Sequence, residues 1–297
     1  MSRTDGPPLV ILAGGRARRY GGVKPLAPVG PGGEAVVDLL ASDALAAGFT
    51  KLVLVLGAST GPAIRYHVEH SWPPGIDVHF AEQPVPLGTV HALACASEAL
   101  GAEERVGVCN ADDLYGAGAL RLLAAHLASD DPRNVLVAFH LRDAVVGDSP
   151  VTRGLCHVDD GGLLRSIDER RQVFAVGDDR FISKDGHAPA ELPGDSLVSM
   201  NLWGFTPVMR RVLEEAVGSS RHASDETELL LPEVVATRLS VPGRPGYDPA
   251  TAFVVLVAPG RCIGVTHPDD LPLVQAELAR SVGAGERPAK LWQAVAR

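Results

Sequence analysis

Three short segments hold most of the residues that could do chemistry. The first, Leu12 to Gly30, reads LAGGRARRYGGVKPLAPVG. An apolar run ends there in Gly14-Gly15, where a side chain would block close approach of a nucleotide to the backbone. Arg16, Arg18 and Arg19 follow at once, then Gly21-Gly22 and Lys24-Pro25. Backbone donors and several cations gathered in one loop suit a polyphosphate. The loop is not a P-loop, because G-x-x-x-x-G-K-[ST] is absent, and no G-x-G-x-x-G leads straight into a helix. The second segment, Gln83 to Leu93, reads QPVPLGTVHAL. Gly88 permits close approach, and Thr89 is expected to cap a helix whose free amides face a ligand. His91 is better explained as a packed core residue than as a ligand contact. The third segment, Val108 to Gly116, reads VCNADDLYG. Acid at the carboxyl end of a parallel strand lies where open α/β sheets bind ligands. Asp112 suits a hard cation with oxygen ligands. For Asp113 a turn or cap is an equally good account.

These segments need a scaffold, and the hydrophobic pattern predicts one. Leu9 to Ala13 and Lys51 to Gly57 read as buried strands, with Ile76 to Phe80, Val106 to Cys109 and Val135 to Phe139 extended between helices. The helices are expected over Glu34 to Ala47, with Gly48 just beyond its end, and over Pro62 to His70, Gly88 to Leu100 and Ala117 to Ala128. Alternation at this spacing implies a parallel sheet covered on both faces. After about residue 140 the rhythm changes. Asp159-Asp160-Gly161-Gly162 predicts a hairpin turn between Gly154 to Val158 and Leu163 to Ile167. Gly177 to Gly194 is polar and rich in Gly, Asp and Pro, which predicts a surface loop or lid. Ser196 to Phe205, Ala252 to Val257 and Cys262 to Val265 read as strands. Pro207 to Val217, Glu226 to Leu239 and Pro268 to Ser281 read as helices, and Gly285 to Arg297 as a tail with an amphipathic turn. The expected organisation is one domain. It comprises a nucleotide-binding half over about 8–140, a second half over about 141–284 that completes a mixed sheet, and the tail 285–297.

In order and spacing, the three segments resemble those of the sugar-phosphate nucleotidyltransferases, a family that includes the molybdenum cofactor guanylyltransferases. Leu12 to Gly30 is similar to the family's A-G-G-x-x-x-R…K-P-L signature, Gln83 to Leu93 to its Q-x-x-x-G-T-x-H-A segment, and Val108 to Gly116 to its G-D or A-D-D metal motif. The resemblance is strong over residues 9 to 120 and weaker beyond. It implies a Rossmann-like α/β fold with a mixed, mostly parallel sheet and helices on both faces. It also implies that Leu12, Ala13, Gly14, Gly15 and Arg16 cradle the nucleotide, with Gly88-Thr89 near the base and Gln83 at its edge. Arg19 matches the arginine that bends the triphosphate and steadies the pentavalent α-phosphorus, and Lys24 matches the lysine that contacts the phosphates. The chain has only four lysines among 27 basic residues, so a lysine there is less readily filler. Asp112 falls at the position of the Mg2+-binding aspartate.

Farther along, SIDER (Ser166 to Arg170) resembles the family's E-x-K element. Glu169 would accept hydrogen bonds from sugar hydroxyls, and Arg170 stands where many relatives have lysine. Asn201 falls where relatives place an Asn beside the sugar. One departure concerns a second metal ligand, which many relatives supply from a late strand. Here Thr266 takes the place of an Asn. Asp269 or Asp270 could substitute, but both suit the first turn of the following helix, and the capping reading is preferred.

Composition narrows the classes further. With 46% apolar and 21% charged residues the chain is ordinary globular material, and no apolar run reaches the ~20 residues that span a bilayer. The short polar N-terminus has no signal-peptide pattern. Four separated cysteines with no C-x-x-C pair fit a reducing cytoplasm better than zinc or disulfides. A net charge of −9 argues against a broad nucleic-acid or membrane surface. A homo-oligomer is compatible with the sequence. The partners that the resemblance implies are a nucleoside triphosphate and a sugar 1-phosphate, joined in a Mg2+-dependent reaction that releases pyrophosphate. No G-x-S-x-G or Cys-His signature is present, and an anionic phosphate nucleophile needs none. The rival readings are a non-catalytic sugar-nucleotide sensor, a glycosyltransferase and a molybdenum cofactor guanylyltransferase.

Overall fold

The computed structural model describes residues 6–15, 21–145, 147, 149–177, 179–220, 228–264, 270–285 and 287–293. The first half alternates strand and helix as its hydrophobic runs require. It comprises β1 (Pro8–Ala13), α1 (Val36–Ala47), β2 (Lys51–Gly57), α2 (Gly61–Ser71), β3 (Asp77–Gln83), α3 (Thr89–Cys95), β4 (Val106–Asn110), β5 (Asp113–Leu114), α4 (Gly116–Leu127) and β6 (Asn134–His140). After α5 (Leu141–Ala144) the chain turns antiparallel through β7 (Val151–Val158), β8 (Leu164–Gly177), β9 (Arg180–Ser183), β10 (Glu191–Pro193) and β11 (Leu197–Phe205). It closes with α6 (Pro207–Ser220), α7 (Leu231–Arg238), β12 (Phe253–Val257), β13 (Ile263–Gly264) and α8 (Leu271–Gly283).

Eleven strands form one mixed sheet, with the path β10-β9-β8-β7-β11-β4-β1-β2-β3, with β6 branching from β11 and β12 pairing with β6. The run β4-β1-β2-β3 is parallel. Every residue of β1, and all but the first of β2, is buried, because helices cover both faces there. β3 lies at the edge and alternates exposed and covered positions instead. One apolar layer gathers α1, α2 and α4 on one face, and a second gathers α3, α6 and α7 on the other. The carboxyl ends of β1, β2 and β4 therefore come together at one lip of the sheet, which carries Gly14, Thr60 and Asp112 just beyond the strands.

The hairpin turn forms as expected, with the Asp159 side chain accepting from the amides of Gly161 and Leu163, both at 2.9 Å. The segment 177–194 is not one surface loop. β8 runs on to Gly177 and pairs with β9, which pairs with β10, so only the turns between these strands are irregular. Phe181 and Leu192 supply the few buried side chains that this polar stretch needs to hold a sheet.

The described part of the tail forms no helix. It packs against α1 instead. Arg287 donates to the buried Asp43 at 2.5 Å, and Trp292 lies 5.2 Å from Trp72, centroid to centroid. Among the described residues, no helix is long and apolar enough to cross a membrane.

Candidate active site

Leu12 and Ala13 end β1 inside the sheet, and the Leu12 carbonyl accepts the Ala111 amide at 3.1 Å. That bond fixes the turn after β4, on which Asp112 stands partly exposed. Lys24 enters from the other side on a short helical turn, Lys24–Leu26, whose Pro25 is buried. Its ammonium lies 3.5 Å from an Asp112 carboxylate oxygen. The two residues stand 88 apart in sequence, and the fold brings them together. Arg16 and Arg19 lie outside the described residues, as do Thr266 and Asp269.

Behind Asp112 the polar groups are paired. Asp113 accepts from the Asn110 amide at 2.9 Å, while the buried Tyr115 hydroxyl donates to the Met200 carbonyl at 2.8 Å. Burial first, and then the charge of Asp112, push the Asp113 carboxyl up to about 6. Asp113 thus organises the turn and leaves Asp112 as the carboxylate facing the cleft.

A cleft of about 430 Å³ opens beside Leu12, Gly14, Gly15 and Asp112, and Gln83, Gly88 and Thr89 also line it. This volume is within the range of small-ligand sites. Gly14 lets Gln83 approach closely, since a Cβ there would lie 2.3 Å from the Gln83 side-chain oxygen. Gln83 is itself held, donating to the Gly88 carbonyl at 3.1 Å and meeting the His91 ring at 3.1 Å. His91 is buried, which is its packing role.

Thr89 does not cap α3. Gly88, at φ +93°, takes the cap position, and the Thr89 hydroxyl oxygen accepts the Leu231 amide at 2.8 Å. The Leu87–Val90 turn is thereby zipped to Leu229–Leu231, which brings Glu228 and Leu230 to the cleft wall. Sequence reasoning missed Glu228, Leu230, Pro86 and Asn110 as lining residues. Asn110 was visible as the polar residue closing a buried strand, whereas nothing local marks the residues near 230.

Two of the residues expected at the sugar, Glu169 and Asn201, are not among those that line this cleft. Glu169 accepts from Arg171 at 2.6 Å, and neither Glu169 nor Asn201 lines the cavities around Asp112. Asn201 interrupts β11 at φ +58°, and its side-chain oxygen accepts from Trp203 at 3.1 Å. Arg170 requires a correction. It is buried, with its guanidinium bonded to Asp185 at 2.9 Å and to the carbonyls of His187 at 3.0 Å and Pro189 at 2.8 Å. The Arg170 guanidinium holds Asp185 well below the usual carboxylate range, and its carbonyl bonds pin the turn after β9, so the charge expected at a sugar phosphate is committed elsewhere. Asp270 stands at the cap position of α8, but its side chain makes no capping bond to that helix.

Among the described residues no group of three or more His, Cys, Asp or Glu gathers as a metal cluster. A lone carboxylate at a strand end still fits Mg2+, which is commonly held by one or two carboxylates and completed by substrate phosphates and water.

A family model described as the MobA-like NTP transferase domain matches residues 9–180, and so takes in Lys24, Gln83, Gly88 and Asp112. The chain belongs to that family. It is therefore of the nucleotidyltransferase type, as its three motifs suggested. A search of curated proteins finds no match. Among solved structures, HddC from Yersinia pseudotuberculosis complexed with GMP-PN is similar at TM-score 0.59 and 17% identity, over 91% of this chain and 99% of that one. A provisionally assigned glucose-1-phosphate thymidylyltransferase from Bacillus anthracis, in complex with a sucrose, is similar at TM-score 0.64 and 13% identity, over 92% and 94%. At these identities the likeness is one of fold. It covers about nine-tenths of this chain.

Proposed function

We propose that this chain joins a nucleoside triphosphate to a sugar 1-phosphate, giving a nucleoside diphosphate sugar and pyrophosphate, and that it works as one domain. The observation that carries this reading is the meeting of Lys24 and Asp112, 3.5 Å apart, where the glycine loop borders the cleft. The base end of the nucleotide lies against Gln83 and Gly88, with the phosphates over Leu12 to Gly15. Arg19 and Lys24 neutralise phosphate charge, and the sugar phosphate approaches from the side of Glu169 and Asn201. The attacking phosphate monoester is already an anion, so the protein aligns it with the α-phosphorus and needs to remove no proton. Asp112 would hold Mg2+, which when bound supplies positive charge to the polyphosphate oxygens. HddC crystallised with GMP-PN and the assigned thymidylyltransferase support nucleotide and sugar-phosphate substrates for this fold.

The family match favours one second reading, a guanylyltransferase acting on a molybdenum cofactor. A pyrophosphate-release screen of nucleoside triphosphates against sugar 1-phosphates separates the two. Release that depends on a sugar 1-phosphate supports the proposal. Release with GTP and a pterin phosphate acceptor, and with no sugar phosphate, supports the second reading.

Glu169 offers a prediction on the sugar side. Glu169→Gln keeps the shape but loses the charge that strengthens hydrogen bonds to hydroxyls, so sugar-phosphate affinity falls roughly ten- to a hundredfold with triphosphate affinity unchanged. Calorimetric titration of both ligands reads this, and a fall in triphosphate binding alone would move Glu169 out of the sugar site.

A further inference from the structure

Beside the cleft, on the far side of Asp112, lies a second cavity of about 90 Å³ that shares Leu12, Gly15 and Asp112 with it. Lys24, Pro25 and Thr60 complete its wall. Thr60 precedes α2, and its hydroxyl is unusual. The oxygen is buried and has no hydrogen-bond partner. A threonine at the start of a helix commonly caps it, but Thr60 makes no side-chain cap bond, and its backbone is already helical at φ −105° and ψ −23°. A buried hydroxyl without a partner is costly, and a valine would fill the same shape without that cost. The hydroxyl is therefore explained by a group that arrives with a ligand.

The surroundings say what that group is. The cavity is too small for a base or a sugar ring and continuous with the cleft that takes them. Among the described residues that line it, the one cation is Lys24 and the one acid is Asp112, the residue suited to a cation. We infer that Thr60 is a phosphoryl-binding residue, donating its hydroxyl hydrogen to a phosphate oxygen whose charge Lys24, in the same cavity, neutralises. The donor is neutral and rigidly placed by a β-branched side chain, so it fixes where the phosphoryl group sits without adding charge. Nothing in the three sequence motifs includes this residue. It reaches the site because β2 lies beside β1 and ends at the same lip of the sheet.

This inference rests on the reading of the cleft as a nucleotidyltransferase site, and the test keeps the two apart. Thr60→Val, Thr60→Ser and the wild type are titrated with the nucleoside triphosphate that the wild type binds best, with the matching monophosphate, with inorganic pyrophosphate and with the sugar 1-phosphate. Melting temperatures are measured without ligand. Thr60→Val should melt at or above the wild-type temperature yet bind a phosphate-bearing ligand roughly ten- to a hundredfold more weakly, with Thr60→Ser near wild type. Weakening of triphosphate and pyrophosphate but not of monophosphate assigns the hydroxyl to the leaving group. Weakening of the sugar 1-phosphate alone assigns it to the acceptor. Equal affinities of Thr60→Val and wild type for every ligand overturn the inference and leave the nucleotidyltransferase reading standing. Should the wild type bind neither triphosphate nor pyrophosphate, that reading fails and this inference with it. If valine is not accommodated and the variant does not fold, Thr60→Ala against Thr60→Ser gives the same comparison.

Discussion

Asp112→Asn is expected to lower turnover by on the order of a hundredfold or more while leaving the fold intact. Asp112 sits in the turn after β4, partly exposed, and its one described partner is the Lys24 ammonium at 3.5 Å. Replacing the carboxylate with an amide keeps the turn, because the turn is built by the Ala111 amide on Leu12 and by Asn110 and Tyr115 around Asp113. On the proposed function, what is lost is the negative charge that would hold the cation beside the polyphosphate. Folding should be judged by melting temperature and turnover by pyrophosphate release at saturating substrates. Near-normal turnover in the folded variant would remove Asp112 from the reaction.

The second large effect is expected from a residue with no chemistry of its own. Gly88 adopts φ +93° and ψ 179°, a region essentially closed to other residues, and a Cβ there would lie 2.3 Å from the Leu229 carbonyl oxygen. Gly88→Ala therefore strains the backbone by roughly 1–3 kcal/mol and pushes apart two segments joined by three hydrogen bonds. Those bonds carry Glu228 and Leu230 to the cleft, so melting temperature falls by several degrees and triphosphate affinity by up to about a hundredfold. Thermal unfolding and calorimetry measure both. A variant that melts and binds as the wild type does would mean that the 88–229 contact does not shape the site.

The central strands were legible because a parallel strand covered on both faces must be apolar throughout, and β1 and β2 are. The meeting of the glycine loop with Asp112 was legible too, since both follow neighbouring strands at the same end of the sheet. Other features depend on distant pairing. Thr89 has the residue type of a cap, but Leu231, 142 residues away, takes its hydroxyl. Arg170 falls where relatives have a lysine, but charged residues rarely bury, and only the turn that supplies Asp185 and two carbonyls makes its burial tolerable. The 177–194 stretch carries a loop's composition because an antiparallel arm with much of its surface in water needs few apolar residues. The partnerless hydroxyl of Thr60 leaves no mark in sequence at all.

The most direct test of the central claim is the stoichiometry of the reaction. Purified protein is incubated with a nucleoside triphosphate, a sugar 1-phosphate and Mg2+. Pyrophosphate is quantified alongside the nucleotide product by mass spectrometry. The account predicts one pyrophosphate for each nucleoside diphosphate sugar formed, with neither appearing when the sugar phosphate is omitted. Release of inorganic phosphate in place of pyrophosphate, or pyrophosphate formed in equal amount without the sugar phosphate, would contradict it.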